Sequence, residues 1–407
     1  MTPFLALLLA TLLDPSAPPL AQASDVRLVG ETAAGEVREL PLASLPLTSL
    51  AAADLVVLDV LGADAMAPAA PQELGVLELA GGDRLQGRVA GGDGEVLTLE
   101  LLGQVVLPVD IASFRSLVFP GRIPDDLSAA VSAPPELDRL YRRVGGALDP
   151  IDGTVEGFSA GGIVFESLRV GRREVPWREV AALFVEVLEE GAPREAEEGA
   201  RVVVDLADGS RLRGRMQRLS TAGLQLTVGR ATEVALPLET LGEIARDDGS
   251  IAFLSDLAAA SEVGRGNPFD GDAAGDDVFG MVWPYRSDRC ATGAPLRAGG
   301  RVWRRGLGAH APSGIRFKLD SGWRELRGAV AIDDSVLHEP ARGSVIFRIH
   351  LDGELAWESP QLASGDAPLS FPPLALEGKK ELLLEADMAT ELSQGDRADW
   401  LRMMLLR

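Results

Sequence analysis

The chain has 407 residues, room for two or three domains and a sizeable core, and a formal net charge of −22. That acidity excludes nucleic acid and anionic membrane as partners, because both need basic patches. A single cysteine, Cys290, excludes an internal disulfide and a thiolate metal cluster, and its turn-like setting beside Arg289, Ala291 and Thr292 does not suggest a nucleophile. The charge is uneven: residues 285–407 carry 17 Lys+Arg and 17 Asp+Glu, which leaves 22 against 44 in residues 1–284. Of the six tryptophans, only Trp177 precedes Trp283. Both asymmetries place a boundary near residue 280.

The chain opens with the apolar run Phe4–Leu13, then Pro-rich residues and Ala21-Gln22-Ala23. A short apolar core before a small-x-small site reads as a secretory signal peptide over residues 1–23, cleaved after Ala23, although Lys and Arg are missing from its start. No later apolar stretch is long enough to span a bilayer. The expected location is therefore secreted, periplasmic or extracellular.

Residues 24–246 repeat one grammar. Leu77–Leu79, Gly82-Asp83, Leu97–Leu101, Val105–Pro108 and Ile111–Phe119 form one copy, at about 75–119. Another, at 200–246, has Val202–Leu206, Asp208-Gly209, Leu224–Val228, Val234–Pro237 and Leu238–Ile244. A copy between them, at 150–186, has Asp152-Gly153, Ile163–Phe165, Glu174–Trp177 and Val180–Val185. A degenerate copy at 26–60 keeps Leu40-Pro41-Leu42. Period-two alternation punctuated by Asp-Gly or Gly-Asp turns predicts small antiparallel β modules of three or four strands each. Pro134–Arg143 reads as one short helix with Pro at its start. The acidic stretch 186–199 reads as a loop, and 247–279 as a helix (Ile251–Ala260) followed by an acidic linker.

Several catalytic patterns dissolve in context. Gly157-Phe158-Ser159-Ala160-Gly161 matches a nucleophile elbow, but a short β run follows it instead of a helix, so it reads as a hairpin turn. Gly306-Leu307-Gly308 lacks the third glycine and the helix of a dinucleotide loop. His310, His338 and His350 show no zinc spacing. Adjacent Asp333 and Asp334 point to opposite faces of a strand and cannot flank one glycosidic bond; a turn, a cation ligand or a loop hydrogen bond suits them better. Asp396 and Asp399 leave a structural Ca²⁺ open, without the regular spacing that would assign one. No other cofactor is indicated.

Four blocks stand in order near the C-terminus: Gly306–Ala311 with Ser313; Val330–Asp334; Gly343–Arg348 with Asp352-Gly353; and Asp396-Arg397-Ala398-Asp399-Trp400. In order and spacing they resemble the NPCBM family, carbohydrate-binding modules grouped with family 51, over residues 280–407. Arg397 stands where that family often has His. The preceding repeats resemble regions attached to such modules in secreted proteins of planctomycete-type bacteria. The resemblance implies a galactose-binding-like β-sandwich (jelly roll), sugar recognition by loops at one end, and an all-β chain in which the repeats act as spacer or interaction units.

Sugar recognition asks for an aromatic face and directional hydrogen bonds. The candidate residues are Trp303, Trp323, Trp357 and Trp400 for faces, and His310, Asp333, Asp334 and Asp399 for hydrogen bonds. The expected function is non-catalytic binding of carbohydrate, with affinity on the order of 10⁻³ to 10⁻⁵ M. A glycoside hydrolase carrying the module, and a surface protein whose module binds secreted or cell-surface proteins, are the alternatives.

Overall fold

In the computed structural model the described residues are 26–62, 73–133, 137–167, 169, 171–186, 199–229, 232–264, 283–339, 342–389 and 395–407. The expected signal peptide, residues 187–198 of the acidic stretch and residues 265–279 of the expected linker fall outside them. The described residues are all-β: they hold strands and short 3-10 turns, and no α-helix.

The repeats fold as the alternation dictates. In the second copy, Leu97, Leu99 and Leu101 face inward while Thr98 and Glu100 face outward. Each of the three full copies supplies five strands, four in a meander and a fifth that returns to the first. For the second copy these run from Leu74–Leu79 to Phe114–Val118, and for the fourth from Ala200–Leu206 to Leu241–Arg246. The Pro step is where the meander ends. Pro176 and Pro237, each extended, launch the 3-10 turns Trp177–Glu179 and Leu238–Thr240, which swing the chain into the returning strand. Pro41 likewise precedes a 3-10 turn, Leu42–Ser44, in the degenerate copy, which keeps only Arg27–Thr32, Val37–Leu40 and Leu55–Leu61 and reaches the last of these through a second turn, Ala51–Ala53.

The copies are not independent modules. Returning strands pair edge to edge, Leu55–Leu61 with Leu241–Arg246 and Phe114–Val118 with Val180–Phe184, so an exposed edge of each copy is covered. One continuous apolar cluster runs from Val26 to Ile244.

Two expectations are corrected here. The described part of the helix expected over Pro134–Arg143 is a strand instead: Asp138–Val144 is the first strand of the third copy, with Leu140 and Tyr141 buried and pairing on both sides. Asp152-Gly153 is accordingly no turn but lies inside the strand Ala147–Phe158, and the hairpin turns at Gly145-Gly146. The helix expected over Ile251–Ala260 is also absent. Ile251–Phe253 pairs with Arg397–Leu406 and Ser261–Gly264 pairs with Ser313–Lys318, so both strands already belong to the C-terminal domain. Long-range pairing overrode local propensity in both places.

The C-terminal domain is a two-sheet sandwich. One sheet runs Arg286–Ser287, Gly306–His310, Arg397–Leu406, Glu325–Ile332, Leu369–Ser370; the other runs Ser261–Gly264, Ser313–Lys318, Glu381–Met388, Ser344–Leu351, Glu354–Glu358. Leu307, Val330 and Trp400 meet Ile315, Phe317, Phe347 and Leu384 between them. The outer face of the first sheet carries a second small core, where Leu401, Ala329 and Ala331 lie under Cys290, Leu296 and Ala298. Gly308 permits this covering: a Cβ there would lie 2.3 Å from the Arg289 carbonyl oxygen and 2.5 Å from Cys290 Cα.

Body and sandwich share an interface. Val56, Val57, Val203 and Ala245 of the repeats pack on Ile251, Phe253, Met404 and Leu406. Beside this patch Asp59, Glu243 and Asp205 stand opposite one another on three adjacent strands, all buried. Like charges so placed repel, and burial adds a desolvation cost. Arginines of the sandwich answer both. Arg305, fully buried, reaches Asp205 at 2.7 Å and Asp256 at 2.7 Å; Arg402 bonds Asp59 and, at 2.7 Å, Glu243; Arg301 lies 3.2 Å from Asp59. Burial opposes the Asp205 charge, but Arg305 and Arg211 overcome it and hold the carboxyl below the usual range. Burial pushes the Glu243 carboxyl up, against the pull of Arg402.

Removing one partner of such a cluster leaves buried charge uncompensated. Arg305→Ala is expected to lower unfolding stability by about 3–5 kcal/mol in urea titrations. Arg88→Ala, which breaks an exposed pair with Glu100, is expected to change it by no more than about 1 kcal/mol.

Candidate functional site

The strand Gly306–His310 ends where Arg397–Leu406 begins, and His310 sits directly opposite Arg397. Both side chains project from the outer face of the first sheet, since their neighbours Ala309 and Ala398 are in the sandwich core. The adjacent strand Glu325–Ile332 ends at the same level and turns into the 3-10 segment Asp334–His338. Three strand ends thus converge on one end of the sandwich.

Arg397 spreads its guanidinium there, donating to Ser335 Oγ at 2.8 Å and to Glu339 Oε1 at 2.6 Å. The Trp283 ring stacks on His310, with centroids 5.3 Å apart and planes 24° from parallel, and is itself 38% exposed. Burial pushes the His310 pKa below its ordinary value, and the Arg397 charge pushes the same way, so the ring is neutral at pH 7. Its Nδ1 lies 2.9 Å from the Ala311 carbonyl oxygen. A carbonyl only accepts, so Nδ1 carries the proton and Nε2 is left as an acceptor. The site therefore offers an aromatic ring, a forked cationic donor, a neutral imidazole acceptor and a carboxylate.

Of the eight residues singled out from sequence, His310 is the one that joins the Trp283–Arg397 cluster. Asp333 is buried and spent on the backbone: Oδ1 accepts from Ser335 N at 2.9 Å and Oδ2 from Arg297 N at 2.9 Å. Asp334 Oδ2 accepts from Gly300 N at 2.8 Å. Both hold loops. Asp399 is fully buried, and burial together with the adjacent Asp333 carboxylate pushes its carboxyl well above the usual range, so it is held as the neutral acid. Trp400 is core, packed edge-on against Phe347 at 5.0 Å, and Trp323 is buried with Arg407 over its ring at 4.4 Å. A sugar cannot reach either ring or the Asp399 carboxyl. Trp357 lies on the edge strand of the other sheet, against Phe371. Trp303 is half-buried towards the repeat body, with Arg301 over its ring at 4.0 Å.

Sequence reasoning missed Trp283, Ser335, Glu339 and the donor role of Arg397. Trp283 had one signal, a tryptophan outside any alternating run. Among the described residues, no three His, Cys, Asp or Glu side chains gather as metal ligands. Asp396, weighed for a cation, is buried with Oδ1 accepting from Ser344 N at 2.7 Å. Ser159 sits in a hairpin turn, accepting from the Gly161 and Gly162 N–H groups.

Burial pushes the Asp396 carboxyl up to about 6, against the Ser344 N–H bond. Between about pH 4 and about 6 the folded chain therefore keeps a proton that the unfolded chain has lost. Stability is greatest below that window, falls as pH rises through it, and levels off above it. Asp396→Asn should remove this slope, which melting temperatures of both proteins across pH 4 to 7 would show; parallel curves would contradict the assignment.

A family model of the NPCBM/NEW2 domain matches residues 268–406. Over 118 residues the chain is 36% identical to alpha-1,3-galactosidase B of Akkermansia muciniphila, and over 108 residues 30% identical to a putative endo-alpha-N-acetylgalactosaminidase of Renibacterium salmoninarum. The matched stretches are 28% and 26% of this chain but only 14% and 7% of those relatives. Among solved structures, CBM51 from Clostridium perfringens GH95 in complex with methyl-galactose aligns at 18% identity and a TM-score of 0.32, covering 38% of this chain and 99% of that one. CBM51-2 with GlcNAc and INT domains from Clostridium perfringens ZmpB aligns at 17% identity and a TM-score of 0.33, covering 60% and 43%.

Proposed function

We propose that this chain, whose residues 268–406 form an NPCBM/NEW2 domain, is a secreted, non-catalytic glycan-binding protein that takes a galactose-type sugar at the Trp283–His310–Arg397 end of its sandwich. The observation that carries the reading is the pairing of a partly exposed indole with fixed polar groups on converging strand ends. The exposed face of Trp283 stacks on the apolar C–H face of a pyranose. The Arg397 fork and Glu339 bind hydroxyls, and His310 Nε2 accepts from one. His310 and Arg397 are mounted on strands and, with Glu339, already hydrogen-bonded, so little is spent ordering these polar groups on binding. The two relatives, both named for enzymes acting on galacto-configured sugars, support the sugar class. The repeat body serves as a rigid mount, because the sandwich is clamped to it through buried ion pairs.

The test is a glycan array with the intact chain, followed by calorimetry on the best galactoside. Trp283→Ala and Arg397→Ala are each expected to weaken binding at least about tenfold, about 1.4 kcal/mol, with melting temperature preserved. Binding unchanged in Trp283→Ala would move the site elsewhere. Turnover of galactosides by the purified chain would overturn the non-catalytic reading.

A further inference from the structure

Clamping the sandwich onto the repeats leaves a cleft of about 480 Å³ between them. Its walls come from three parts of the chain: residues 78–84 of the second copy, residues 205–211 of the fourth, and residues 287–304 of the sandwich. The volume is that of a small-ligand site. Trp303, placed apart from His310, lines it.

The charge inside is arranged unequally. Most carboxylates at the cleft are already committed: Asp83 to Arg213 at 3.0 Å, Asp205 to Arg211 and Arg305, Asp288 to Arg211 at 2.8 Å. Asp208 accepts from Ser210 N at 2.8 Å, and Glu78 is an exposed carboxylate at the rim. Arg84 and Arg289 are different. Both are half-buried in the cleft, and neither has a hydrogen bond or ion pair among the described residues. The Arg289 guanidinium lies over the Asp208-Gly209 turn, where a Cβ on Gly209 would come within 3.6 Å of it. Arg304 is anchored to the Ala207 carbonyl at 3.0 Å. Burial pushes the Arg289 pKa down, and the charges of Arg84 and Arg304 add to this, against the pull of Asp288. Two half-buried guanidiniums, Arg84 and Arg289, that share a cleft and have no hydrogen bond or ion pair among the described residues mark a place for an external anion.

We infer that this cleft is a second saccharide site, for a sugar carrying a carboxylate or sulfate ester that Arg84 and Arg289 grip beside Arg304. A planar guanidinium matches either group with paired hydrogen bonds, and Trp303 supplies an aromatic wall for the ring. The choice of a sugar over a bare anion rests on the glycan-binding reading of the sandwich. The site exists only in the assembled chain, because neither body alone closes it.

The experiment is calorimetry on the intact chain with four probes: galacturonic acid, galactose 6-sulfate, inorganic sulfate and galactose. At least one acidic sugar is expected to bind about tenfold or more tightly than inorganic sulfate, with an affinity that falls as salt rises. The double variant Arg84→Gln with Arg289→Gln should lose that binding about tenfold at unchanged melting temperature, while keeping galactose binding. Trp283→Ala should do the reverse. Binding of neither acidic sugar, retention of binding in the double variant, or sulfate binding as tightly as the sugars would each overturn the proposal. Loss of acidic-sugar binding in Trp283→Ala would do the same, by placing those sugars at the other end. If galactose fails while an acidic sugar binds through the arginines, the first site is wrong and the second stands.

Discussion

Three carboxylates side by side on three strands, buried, are an arrangement no sheet holds alone. Asp59, Glu243 and Asp205 form that row on the outer face of the repeat body, and Arg301, Arg305 and Arg402 of the sandwich complete it with Arg211. The row makes the two bodies obligatory partners: parted, each would expose apolar surface and leave charges whose neighbours are of the same sign. It also accounts for part of the acidity of the first two thirds of the chain. The carboxylates belong to one body and most of their counter-ions to the other.

Much else follows from this clamp. The strands Leu55–Leu61 and Ala200–Leu206 are apolar on both faces because one face meets the core of the repeats and the other meets the sandwich. Arg327 of the sandwich reaches the first hairpin turn, donating to the Thr32 and Ala33 carbonyls, and so fixes the degenerate copy as well. The cleft with its converging arginines is a product of the same docking. The Trp283–His310–Arg397 end is built from two strand ends of the sandwich itself and the segment before its strand Arg286–Ser287, with a neutral imidazole and a committed guanidinium. Its polar groups owe their geometry to local hydrogen bonds.

Much of the fold was legible because strand grammar is local. Alternation put Leu97 and Leu99 inside, and the Pro step marked where the meanders of the third and fourth copies end. Legibility failed where pairing partners lay far away in sequence. Asp138–Val144 looked helical because Pro134-Pro135 resembles a helix start; its strand character comes from neighbours at 147–153 and 180–184. Ile251–Phe253 looked helical for want of a visible partner, which turned out to be the last strand of the chain. The site was less legible. Tryptophan and aspartate are suited equally to a core and to a ligand, and the choice depends on which face a strand turns inward. Trp400 and Asp399 are adjacent residues on opposite faces of one strand, yet both are buried, because a covering segment closes the second face.

By itself the sequence determined the all-β class, the repeat and its turn chemistry, the acidic first part and the family-like blocks of the last, because each rests on residue type at short spacing. Tertiary structure alone decided that the copies share one core, that the sandwich starts near residue 251, and that aspartates in three separate strands meet arginines from a second domain. It also decided which of the candidate side chains face solvent. Those outcomes depend on strand register and domain docking. Both are set by contacts between residues from tens to hundreds of positions apart, which short-range spacing does not encode.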